Sequence, residues 1–145
     1  MEQHLTVAGY LVNDNKVLLI HHRKLDIWLP VGGHIEVNET LDDAIKREFL
    51  EEVGIEIELP QTNPIESTRV KQLATPFHSN LHNVKDHNHS CFYYLCTAKN
   101  PTVRINHEVK AYRWFTKGDL SETIVPSDVR SQAMKALEIY NSFRS

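Results

Sequence analysis

Between Leu41 and Val53 the apolar residues recur at helical spacing, and acids interrupt the pattern. At about 100° per residue, Leu41, Ala44, Ile45, Phe49 and Val53 fall on one stripe suited to packing on a sheet. Glu48 and Glu52 fall inside or beside that stripe, and Glu51 lies next to it beyond Ala44. Carboxylates clustered this way repel one another, and taking even one out of water costs several kcal/mol without compensation. A divalent cation is the simplest compensation, because hard cations such as Mg²⁺ prefer carboxylate oxygens. The segment therefore predicts a metal site built on a helix.

The helix sits within GHIEVNETLDDAIKREFLEEVGI, Gly33 to Ile55. This stretch resembles the box of the Nudix family, G-x5-E-x7-R-E-U-x-E-E-x-G-U with U apolar, at every specified position. Gly33, Glu39, Arg47, Glu48, Phe49, Glu51, Glu52, Gly54 and Ile55 fill it in order. Phe49 is bulkier than the aliphatic residue usual there but keeps the apolar character. Fixed spacing over so many positions is far more specific than a lone glycine motif. A solvated amphipathic helix would explain KREFLEE alone, but not the flanking glycines in register.

The resemblance implies a single Nudix domain over residues 1–145, an α/β/α sandwich with a mixed β-sheet flanked by helices. It also implies hydrolysis of a nucleoside diphosphate linked to some other group, by attack of water on phosphorus. In that family Mg²⁺ or Mn²⁺ would be ligated by Glu48, Glu51, Glu52 and the carbonyl of Gly33. Glycine suits that place because no side chain blocks the approach of ion or phosphate. Glu48 is alternatively the base that takes the water proton. Arg47 would pair with a neighbouring glutamate and fix its rotamer, and Glu39 would sit near the helix start, where the dipole favours negative charge. Asp86, Glu108 and Glu122 are candidates for a base or added ligand outside the box. His34, Arg23, Trp28 and Glu108 are candidates for substrate contact, with Lys24 beside Arg23 and Trp28 also suited to a core or rim position.

The family's substrate markers are missing. Val70 and Lys71 stand where some ADP-ribose hydrolases carry proline, and Gln72 and Leu73 where dinucleoside-polyphosphate hydrolases carry tyrosine. The longer NADH-hydrolase motif is absent too, which points toward nucleoside triphosphates or an unassigned nucleotide. The alternative is a Nudix fold that senses or binds a nucleotide without cutting it. Degenerate members of that kind usually lose box glutamates, and this chain keeps them all.

The chain of 145 residues is long enough for one domain with a sizeable core. A net charge of −3 argues against a stable nucleic-acid partner. It does not exclude an anionic substrate, since bound metal reverses the local field. The longest aliphatic run, Val17 to Ile20, is too short to span a bilayer. MEQHLTVAG lacks the regions of a signal peptide, so a cytoplasmic setting is expected. A small nucleotide or other diphosphate is the expected partner, with homodimerisation open.

Strands are expected at Leu5–Val12, Lys16–His22, Ile55–Leu59, Thr68–Leu73, Cys91–Ala98 and Lys110–Phe115. Trp28 to Pro30 reads as a short extended piece, which Gly32 and Gly33 then break. Thr40 is a credible N-cap and Gly54 a C-terminal stop for the first helix. A last helix is expected from Asp128 to Phe143. Residues 60–66 and the stretch from Thr75 to Asn88 read as loops. Cys91 and Cys96, at an odd separation on one strand, should face opposite sides and stay unbridged.

Nine histidines are present, and His78, His82, His87 and His89 crowd into one stretch. A solvated loop, phosphate or base contacts, and a Zn²⁺ site are the readings open for it. His21 and His22 alternate along a strand, so one of them faces inward.

Overall fold

The first strand organises the sheet by pairing on both edges. In the computed structural model, which describes residues 2–60 and 65–144, β1 is Glu2–Asn13. It is followed by β2 (Lys16–His22), β3 (Trp28–Leu29), β4 (Val31–His34), α1 (Leu41–Val53), β5 (His78–Val84), β6 (His87–Cys96), β7 (Val109–Phe115) and α2 (Ser127–Arg144). β6 runs parallel to β1 from Glu2↔His87 to Leu11↔Cys96. β4 runs antiparallel on the other edge, from Thr6↔His34 to Gly9↔Val31. The far end of β1 turns into β2, which pairs with β3 and β7. The result is a seven-stranded mixed sheet with the order β3-β2-β1-β6-β5, β4 on β1 and β7 on β2.

Side-chain alternation along β1 and β6 splits the core in two. Val7, Leu11, Tyr94 and Cys96 pack with Ala44, Ile45, Phe49 and Val53 of α1. Ala8, Tyr10, Cys91, Tyr93 and Leu95 pack with Val129, Ala133, Ala136 and Leu137 of α2. One helix on each face makes the expected α/β/α sandwich. Cys91 and Cys96 consequently lie in opposite cores, both as free thiols. Among the described residues no helix is long and apolar enough to cross a membrane.

The α1 ends are set by local chemistry. Thr40 Oγ1 accepts the Asp43 N–H at 3.1 Å, which satisfies one of the helix's orphan donors. Gly54 takes φ 66°, and its N–H reaches Leu50 O while Ile55 N–H reaches Phe49 O. The bond from Gly54 back to Leu50 is that of an αL cap, and the left-handed residue in it is the glycine that tolerates that φ.

Several sequence expectations are corrected. Ile55–Leu59 is not a strand of the sheet: its alternation reflects burial of Ile55 and Ile57, and its ladder is a single bridge, Glu58↔Thr97. Thr68–Leu73 forms no strand and is exposed, so its β-branched residues had no sheet face to pack on. The expected loop from Thr75 to Asn88 instead contains β5, a turn with Lys85 at φ 55°, and the start of β6. Its polar side chains masked a hairpin whose ladder runs from His78↔Tyr93 to Val84↔His87. Gly32 and Gly33 do not break the chain but lie within β4. Of the expected loop 60–66, positions 61–64 lie outside the described residues.

Candidate active site

The acids on the packing face of α1 are indeed taken out of water. Glu48 is 9% and Glu52 3% exposed, level with the apolar residues around them. Glu51, one step round the helix, stays exposed. β4 closes over this patch from the sheet side. A Cβ at Gly33 would stand 2.6 Å from Glu48 Oε1 and 2.7 Å from its carboxyl carbon, so glycine is the residue that admits the carboxylate against the strand.

Arg47 is the local counter-charge. Its Nε and Nη2 donate to Glu39 Oε2 and Oε1 at 2.7 and 3.0 Å, a two-pronged pair. Nη1 donates to Glu48 Oε1 at 2.8 Å and to Glu51 Oε2 at 3.3 Å, and Nη2 also donates to the His34 carbonyl at 3.0 Å. Glu36 adds a further carboxylate 3.0 Å from Nε, a partner that sequence spacing did not single out. Glu39 in turn accepts the Glu36 N–H at 2.9 Å. The Arg47 hydrogen bond, foremost, holds the Glu39 carboxyl below its ordinary range. Arg47 thus ties the loop after β4 to α1 and fixes the Glu48 carboxylate.

Glu52 has no such partner. Among the described residues no basic side chain pairs with it. Burial, then the hydrogen bond and charge of Glu48, then Glu108 and Glu51, push its carboxyl far above the usual range. Two buried carboxylates on adjacent turns without a cation between them hold a proton instead. The donors are all oxygen and the uncompensated charge is negative. That combination fits a hard divalent ion and does not fit a soft one.

The remaining predicted residues fall in three places. Glu108 acts on Glu52 electrostatically and stands at the rim, in the segment whose Asn106 N–H donates to Glu52 O at 3.1 Å. Arg23 joins that rim: its N–H donates to Glu108 O and its Nε to His107 O, both at 3.0 Å. His34 presents its carbonyl to Arg47, but its ring lies on the other face of β4, 4.9 Å from the His89 ring. Trp28 stacks on His21 at 5.2 Å and meets Phe115 edge-on at 5.4 Å, packed against the α2-side core. His21 Nε2 also lies 2.9 Å from Asp26 Oδ1. Asp86 pairs with His87, and Glu122 is clasped by Arg113 near the start of α2, so neither joins the carboxylate patch.

The signature of the NUDIX domain matches residues 2–135. A Nudix-family hydrolase of Clostridium perfringens is 32% identical, superimposes with a TM-score of 0.85, and the alignment covers 97% of this chain and 99% of that one. The chain belongs to the Nudix hydrolase family. Among named relatives, an 8-oxo-dGTP diphosphatase of Buchnera aphidicola is 40% identical over 55 residues, 35% of this chain and 42% of its own length. The nucleoside triphosphatase NudI of Escherichia coli is 27% identical over 96 residues, 64% of each chain. The match thus spans less than two thirds of either named relative.

Proposed function

We propose that this chain is a metal-dependent hydrolase that cleaves a diphosphate linkage in a nucleotide-type substrate, nucleoside triphosphates foremost. The observation that carries this reading is Glu52, buried beside Glu48 under Gly33 and lacking a cationic partner among the described residues. Glu48, Glu51, Glu52 and the Gly33 carbonyl would hold Mg²⁺ or Mn²⁺. Bound there, the ion supplies charge neutralisation for the phosphates and a more acidic water. The named relatives, a diphosphatase and a triphosphatase of nucleotides, support the substrate class.

The chain's own residues do the rest. Arg47 keeps Glu48 in one rotamer and holds the β4–α1 loop closed around it. Glu48 or Glu108 accepts the proton of the attacking water, Glu108 being the more accessible acid at the rim. Arg23, anchored to residues 107 and 108, brings a positive charge to the edge where an anionic substrate arrives. A panel of nucleoside triphosphates and diphosphates, tested with Mg²⁺ and with Mn²⁺ and read by product mass, tests the proposal. Turnover should need the metal and should vanish in folded Glu52→Gln. Undiminished turnover in that variant removes the carboxylate patch from the reaction.

A further inference from the structure

The geometry points to a second cation site, on the α2 face of the sheet, where His4, His87 and His89 would bind a late transition metal of the Zn²⁺ class. Strand register builds the cluster. His4 of β1 pairs with His89 of β6, and Glu2 with His87. His87 and His89, two residues apart on β6, share a face, the one that Cys91, Tyr93 and Leu95 continue into the α2-side core. One nitrogen from each of the three rings lies within 4.8 Å of the others. The rings are 4.5 Å apart for His4 and His87, 5.4 Å for His4 and His89, and 5.2 Å for His87 and His89. All three are half-buried.

Two further observations point to a ligand. His89 Nε2 is buried and has no hydrogen-bond partner, and an orphaned ring nitrogen of that kind is uncommon unless something fills the place. Asp86 Oδ1 stands 3.1 Å from His87 Nδ1. A carboxylate taking the Nδ1 proton fixes the tautomer and leaves the Nε2 lone pair for a metal, the outer-shell arrangement that imidazole ligands usually carry. His34 stands edge-on at 4.9 Å from His89 and 5.5 Å from His4.

Imidazole nitrogens select borderline metals over Mg²⁺, as the carboxylate patch on the other face does the reverse. An ion among these rings would cross-link β1 to β6 near the strand ends that α2 leaves open. It is independent of the catalytic reading, because the two patches lie on opposite faces of β4: Gly33 meets Glu48, while His34 meets His89.

The test is equilibrium dialysis of the full chain against Zn²⁺ in a large excess of Mg²⁺, with elemental analysis of the retained metal. One zinc per chain should remain, and the same in a Glu48→Gln/Glu52→Gln double variant. His87→Gln and His89→Asn should each weaken binding roughly 100-fold or more, beyond the 10–100-fold typical of losing an outer-shell partner. Imidazole NMR of the unmodified protein keeps the test independent of variant folding. Zinc should shift the resonances of His4, His87 and His89 and leave those of His22 and His107 in place. No retained zinc, zinc lost only with the glutamates, or shifts confined to other histidines would overturn the site.

Discussion

Replacing Glu52 by glutamine should separate stability from activity, and in opposite directions. Without metal the folded protein keeps the Glu52 proton to about pH 10, against 4.5 for the free side chain. Between those values the unfolded chain has released a proton that the folded chain retains. The contribution of Glu52 to stability is therefore greatest below 4.5 and falls as pH rises through that window. From 4.5 to 8, at about 1.4 kcal/mol per unit, the loss reaches a ceiling of about 5 kcal/mol. Glutamine has the same shape and does not ionise, so Glu52→Gln should be the more stable protein in EDTA at pH 8. The two should converge near pH 5. With Mg²⁺ at 100 times its Kd the wild type gains about 2.7 kcal/mol and the variant much less, so the gap narrows. Urea unfolding followed by tryptophan fluorescence, at pH 5 and 8 with EDTA or Mg²⁺, reads all four states. If the glutamine variant were the less stable one in EDTA at pH 8, Glu52 would be an ionised, satisfied carboxylate and the reasoning would fail.

Arg47→Met keeps the aliphatic stem but leaves Glu39 and Glu48 without their counter-charge. With side-chain exposures of 22%, 14% and 12% for Arg47, Glu39 and Glu48, the loss should fall between surface and buried pairs, about 2–3 kcal/mol by urea unfolding in EDTA. Arg47→Lys should recover only a minor part, because an ammonium cannot reproduce the two-pronged contact. Gly33→Ala places a methyl against the Glu48 carboxylate, so Mg²⁺-dependent turnover should fall at least 10-fold. Its stability cost, about 1–3 kcal/mol by thermal unfolding, comes from overpacking. Gly54→Ala must hold a left-handed backbone and should cost about 1–2 kcal/mol, with turnover per folded molecule little changed.

Much of the site was legible in the sequence because helical geometry is local. Leu41 to Val53 fixes which residues share a face, and the acids on that face stood out against their neighbours. Arg47 as a counter-charge was legible for the same reason, while Glu36 was not, since its approach depends on the loop path between β4 and α1. Long-range pairing was the main source of error. The hairpin from His78 to Cys96 hid behind polar side chains, because its outer end faces no helix and shows little apolar alternation. His4 joins His89 only through the parallel register of β1 and β6, across a separation that no local pattern encodes. Ile55 to Leu59 erred the other way: its alternating burial resembles that of a strand, though its backbone makes only the Glu58↔Thr97 bridge.

The most direct measurement is anomalous diffraction at the manganese edge from crystals soaked in Mn²⁺. A peak about 2.0–2.3 Å from carboxylate oxygens of Glu48 and Glu52, next to Gly33, is the expected result. Well-diffracting soaked crystals with no peak among those side chains, from protein that still hydrolyses nucleotides in Mn²⁺, would contradict it.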